Sequence, residues 1–309
     1  MVCLGQAVFH RYFLRVFVSN LISLLCLLTV DGILKVLMYT GLSATPSASF
    51  KRYLGTLNHV RRWYSGDIFD QNSSAFRSIQ LVRGMHTKAF TDAHKSEVVL
   101  ASQSDMVVTQ WAFFGLVLTH GPQLGIHCTR SEEESLVHFW KCIGYLLGID
   151  DRYNVCSGEL EEVRRRCKAI LKTVIVEGLQ NPPEDFAIMA DNMLHGIHMI
   201  TPTVDPAAFV AFTHHLFSLQ CSSQSLSWYS TFMFNLMTWV FEYVSCIPVV
   251  GEIVRVAENN LLSLNLFLCN SLPTVALCYR CLETSIVNII MAVLALWTRT
   301  LHCLKFKQS

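Results

Sequence analysis

The sequence predicts an all-α fold, and three observations carry that reading. Apolar residues recur at helical spacing, runs of period-two alternation are scarce, and recognisable breakers such as Gly121-Pro122, Gly148 and Asn181-Pro182-Pro183 close the helical stretches. Hydrophobic residues make up 52% of the 309 positions and charged ones 15%, against about 25% charged in an ordinary soluble domain. The chain is therefore either rich in core or in contact with a membrane.

The first apolar stretch, residues 13–30, is interrupted by Arg15 and Asn20 and ended by Asp31. A spanning helix needs about 20 mostly apolar residues, so three readings are open: a span, an interfacial helix or a core helix. No small-residue cleavage site follows, so it is not read as a removed signal peptide. A second apolar piece, 33–42, leads to the break Thr45-Pro46-Ser47. Residues 1–42 are grouped as apolar N-terminal helices and a candidate membrane anchor.

Residues 43–220 read as a helical core. Within 50–64, Tyr53, Leu54, Leu57 and Val60 fall at helical spacing, with Arg52, Thr56 and His59 on a neighbouring stripe. Ser73-Ser74 caps the next helix, which carries Ile79, Val82 and His86. Residues 105–120 read as one buried helix, with Asp105 as its N-cap. Ser131 followed by three glutamates starts another, since a serine cap and carboxylates suit the free amides and the dipole; it carries His138 and Trp140. Residues 186–200 form a further helix before the break at 201–206. Residues 221–309 are apolar again, with 232–250 and 285–297 as the longest runs; they complete the fold or contact membrane.

The formal charge of +1 excludes a nucleic-acid surface, because phosphate neutralisation needs clustered excess cations. The run Arg164-Arg165-Arg166 sits beside Glu159, Glu161 and Glu162 and reads as a solvated helix face. The 12 cysteines are spread through apolar runs, as free thiols in a reducing compartment are. Cys278 and Cys281 lie three apart with no second pair of matching spacing, so neither a zinc site nor a disulfide framework is expected.

Three constellations offer chemistry. Glu134 with His138 and Asp191 with His195 suggest a di-metal site, but helical di-iron proteins use Glu-x-x-His rather than this i to i+4 spacing. A nucleophilic enzyme lacks a Gly-x-Ser-x-Gly elbow. The third is a haem pocket. Haem iron takes a single neutral histidine; His86 supplies one, Arg83, Arg52 and Thr56 supply polar partners, and Trp111, Phe113 and Phe114 supply apolar walls. His59 and Gln110 read as satisfied buried polar groups.

Four blocks carry a resemblance: Arg52-Tyr-Leu-Gly-Thr56, Val82-Arg83-Gly-Met-His86, Ser104-Asp105-Met-Val-Val-Thr109-Gln110, and residues 138–150 from His138-Phe-Trp140 to Gly148-Ile-Asp150. In order and spacing they resemble the family of bacterial latex-clearing rubber oxygenases and a fungal endoplasmic-reticulum-bound oxygenase, over residues 50–219. The resemblance implies a globin-like helical domain around haem b. It implies dioxygen as co-substrate, cleavage of C=C bonds in an apolar small-molecule or polyprenyl substrate, and a location at a membrane such as the endoplasmic reticulum. His86 matches the iron ligand and Arg83 the arginine one turn before it. Arg52 and Thr56 match the arginine and threonine beside the haem on the oxygen side, as catalytic and cofactor-binding residues. Three departures stand out: Phe90 replaces an arginine one turn after the histidine, Gly55 replaces a lysine before the threonine, and 33–42 offers no carboxylate for the family's catalytic glutamate. They motivate a second reading, a non-catalytic helical membrane-associated protein that keeps the family fold.

Overall fold

A computed structural model describes residues 2–98, 102–220 and 226–271, and their regular structure is entirely helical. The order is α1 (Val2–Arg11), α2 (Phe13–Leu27), α3 (Asp31–Thr40), α4 (Pro46–Ser65), α5 (Ser74–Lys95), α6 (Gln103–Trp111), α7 (Gly115–His120) and α8 (Arg130–Leu147). There follow α9 (Leu160–Ile170), α10 (Glu177–Gln180), α11 (Phe186–His198), α12 (Pro206–Leu216), α13 (Trp228–Thr238) and α14 (Val250–Ser271). The apolar run 285–297 and the pair Cys278 and Cys281 lie outside the described residues.

Of the three readings of residues 13–30, the structure has the core helix. Phe17, Leu21, Ile22, Leu25 and Leu27 of α2 are all buried. At about 1.5–3 kcal/mol per buried side chain, these five match the whole net stability of a domain, about 5–15 kcal/mol. Among the described residues no single helix is long and apolar enough to cross a bilayer; α1 and α2 meet that test only together, and they are bent by 93° to each other.

Arg15, the charge that interrupts the apolar run, is 2% exposed. Its Nε donates to Glu258 Oε2 on α14 (3.0 Å) and its Nη1 to the Gly125 carbonyl (2.7 Å). A buried cation needs a matched partner, and the one supplied ties α14 to α2. Leu262 and Leu266 of α14 enter the same cluster as Leu21 and Ile22, so α2 and α14 share one core.

The expected helix over 105–120 is instead two, α6 and α7, with residues 112–114 between them. Two contacts accompany the break. The Asn20 amide, oriented to donate, reaches the Phe113 carbonyl (3.1 Å) at the break, and a Cβ on Gly115 would lie 2.2 Å from Trp111 Nε1. Asp105 is not the N-cap of α6; Ser102 is, and the Asp105 carboxylate accepts from the Ser102 backbone N–H (2.7 Å) in a capping box. The cap of α8 is likewise Thr129 rather than Ser131, again in a capping box, with Glu132. Ser73 caps α5 as expected (2.9 Å to Phe76 N), and Gly148 ends α8 at φ +98, a left-handed conformation that favours glycine.

These contacts seat α4 and α5. Thr45 caps α4 and Pro46 occupies its first turn, while α11 packs so closely that a Cβ on Gly196 would lie 2.7 Å from Phe50 N. The α5 helix packs against α4, α8 and α3.

Candidate functional site

Near the turn that joins them, α4 and α5 share a closed polar network. Ser78 Oγ on α5 receives the Trp63 indole N–H (2.9 Å) and pairs with His59 Nδ1 (2.7 Å). Trp140 on α8 donates to Tyr64 Oη (2.7 Å), and the Tyr64 ring stacks between Phe9 (4.0 Å) and Phe139 (4.4 Å). His59 is thus a satisfied structural histidine.

Farther from the turn the same two helices carry Arg52, Thr56 and His86. The Nδ1 of His86 is buried and has no hydrogen-bond partner among the described residues. Such an orphan costs about 1–3 kcal/mol, so it calls for a ligand or another explanation. Burial, and then the Arg52 guanidinium, hold the imidazole below its ordinary pKa of 6.5, which leaves it neutral at pH 7. Phe90 lies one turn on, its ring near parallel to His86 at 6.2 Å. Arg52 has no ion-pair or hydrogen-bond partner for its guanidinium among the described residues.

Thr56 Oγ1 donates to the Arg52 carbonyl (3.1 Å). It also lines a narrow cavity of about 20 Å³ with Phe17, Asn20, Leu24, Tyr53 and Phe113. A volume of that order holds one water or a diatomic molecule. Its walls are apolar except for Thr56, Tyr53 and Asn20, and Asn20 holds the α6–α7 break that brings Phe113 to it. The role of Asn20 in this wall was not read from sequence; a polar residue inside an apolar run was the signal for it.

The structure does not bring every candidate together. Arg83 shares α5 with His86, yet its Nη1 donates to the Leu146 carbonyl (3.4 Å) and it lies over Gly148. There it meets the negative end of α8 rather than the imidazole. Trp111 and Phe114 are core residues, fully buried, and the Trp111 N–H donates to the Cys167 carbonyl (3.2 Å); only Phe113 of the three faces the cavity. Gln110 donates to the Trp140 carbonyl (2.8 Å) and to Asn154 (3.0 Å).

The di-metal candidates are satisfied locally. Glu134 pairs with Arg130 (2.9 Å), His138 Nε2 lies 3.8 Å from Cys142 Sγ, and the exposed Asp191 and His195 meet each other (3.2 Å). No group of three or more His, Cys, Asp or Glu able to hold a metal occurs among the described residues.

A haem iron needs less from the protein than a free ion does, because the macrocycle supplies four ligands and one neutral imidazole suffices. His86 fits that demand: neutral, buried at one nitrogen and lacking a partner, with an unpaired guanidinium beside it to offset carboxylate charge. The cavity at Thr56, about 20 Å³, is too small for the macrocycle.

Residues 10–221, more than half of the chain, match the family model described as the catalytic domain of the ER-bound oxygenase mpaB/B' and rubber oxygenase. Neither a curated protein nor a solved structure matches the chain.

Proposed function

We propose, because the chain belongs to the family of ER-bound and rubber oxygenase catalytic domains, that it is an oxygenase using haem b and dioxygen to cleave or oxidise a C=C bond of an apolar, isoprenoid-type substrate. The observation that supports the cofactor assignment is the His86 imidazole, kept neutral by burial and by the Arg52 guanidinium, which has no partner of its own among the described residues. Haem iron bound there supplies the activation of dioxygen. His86 holds the iron in its neutral form, Arg52 offsets the propionate charge, and Thr56 offers a hydroxyl at a small apolar cavity where dioxygen fits. The apolar walls keep bulk water away from that small cavity. Isoprenoid-type substrates partition into bilayers, so a membrane location, the endoplasmic reticulum included, follows from the same reading.

The protein reconstituted with hemin is expected to show a Soret band that His86→Ala abolishes or strongly weakens. Hemin added without any spectral change would overturn the assignment.

Two observations favour the non-catalytic alternative. No carboxylate forms an ion pair or hydrogen bond with Arg52, Thr56, Arg83 or His86 among the described residues, and Phe90 occupies the position beside the imidazole. That reading expects a Soret band without oxygen consumption on any polyprenyl substrate; measurable double-bond cleavage excludes it.

A further inference from the structure

A second concavity lies where the α1–α2 corner, the C-terminal half of α4 and the middle of α14 meet. It has a volume of about 320 Å³, within the usual range for small-molecule sites, about 300–1,000 Å³. Phe9 and Phe13 form its apolar part, and His10, Arg61, Ser65 and Asn260 its polar part. Among the described residues no carboxylate lines it. Arg61, Ser65 and Asn260 have no side-chain hydrogen-bond or ion-pair partner among the described residues, so the cleft presents an uncompensated cation among neutral polar groups.

The exposed face of α14 begins at this cleft. Ile253, Val256, Leu264 and Phe267 are 64%, 45%, 47% and 56% exposed. With Asn260 their spacing of three or four residues places them on a single stripe. Val256 and Asn260 belong to both the stripe and the cleft. Exposed apolar stripes of this kind mark an interaction surface. Here the stripe abuts a cationic pocket free of acids, the pattern an anionic amphiphile complements: phosphate beside Arg61, hydrocarbon along α14. The α14 side of the cleft lies outside residues 10–221, while Arg61 and Ser65 lie within them.

We propose that this cleft binds the phosphate headgroup of an anionic membrane lipid, with the α14 stripe resting in the hydrocarbon edge of the bilayer. It is independent of the cofactor assignment at His86. The test is co-sedimentation of the full-length protein with vesicles of phosphatidylcholine alone and of phosphatidylcholine mixed with phosphatidic acid. Binding to the mixed vesicles is expected. Arg61→Gln should weaken it about fivefold, the effect of one cation near an anionic surface, Arg61→Lys should retain it, and Val256→Asp should weaken it by withdrawing the stripe. All three variants should keep the Soret band of the parent, which separates failure here from failure at His86. Equal binding to both vesicle types, or an Arg61→Gln variant that binds as the parent does, overturns the proposal. Glycerol phosphate that raises the melting temperature of a protein unable to bind vesicles also overturns it, by assigning the cleft to a soluble phosphate.

Discussion

Along the α4–α5 pair, the end near the connecting turn and the end at Arg52 and His86 are finished in opposite ways. Each carries a histidine with a guanidinium nearby, Arg62 for His59 and Arg52 for His86, and burial lowers both imidazole pKa values. His59 is nonetheless bonded to Ser78, which also takes the Trp63 N–H, whereas the His86 Nδ1 meets nothing. Burial and a depressed pKa therefore do not distinguish a structural histidine from a ligand. The partner does: Ser78 occupies the His59 nitrogen, whereas the His86 Nδ1 has no partner among the described residues.

Paired substitutions widen this contrast most. Ser78→Ala strands the buried Trp63 N–H and is expected to destabilise the protein by about 1–3 kcal/mol. His86→Phe removes an orphan instead, and without cofactor it should leave stability within about 1 kcal/mol of the parent. Urea unfolding of both variants measures the difference. If His86→Phe costs as much as Ser78→Ala, the open end is held by contacts of its own and the comparison fails.

Much of this architecture is readable in the sequence, and the parts that are not share a cause. Helix limits set by local chemistry, such as Pro46 in the first turn of α4, Ser73 before α5 and Gly148 after α8, follow from residues next to one another. The break between α6 and α7 does not, since Asn20, far back in the chain, binds the carbonyl that a continuous helix would use. The fate of residues 13–30 depended on whether Arg15 found a buried partner, and Glu258 lies at the other end of the chain. At the site, the spacing of Arg83 and His86 gives one helix face, but the length of an arginine lets Arg83 reach α8. Sequence spacing fixes where a Cα sits, and a long side chain goes where its charge is best matched.

Acid should reveal the two histidines next. Both have folded-state values below the ordinary 6.5, so above that pH neither state takes up a proton and stability is flat on their account. As pH falls below 6.5, the unfolded chain binds protons first and stability declines until the folded-state values are passed. His86→Phe and His59→Phe should each make the decline between neutral and mildly acid pH shallower, measured as melting temperature against pH. Arg52→Gln should raise the His86 titration midpoint and leave that of His59 in place, read by NMR; movement of both would mean that the two ends are not electrically separate.

The smallest structural effect belongs to Thr56. Its hydroxyl bonds only to the Arg52 carbonyl of its own helix, a back-bond that adds little to helix stability. Thr56→Val keeps the side-chain volume beside Phe17 and Phe113 and should change stability by no more than about 0.5 kcal/mol. On the oxygenase reading the same change takes away the hydroxyl that faces the cavity. Oxygen consumption with a polyprenyl substrate should then fall about tenfold, roughly the value of one hydrogen bond, while the Soret band stays. Unchanged turnover would remove Thr56 from the chemistry and leave His86 and Arg52 as the residues on which the open end depends.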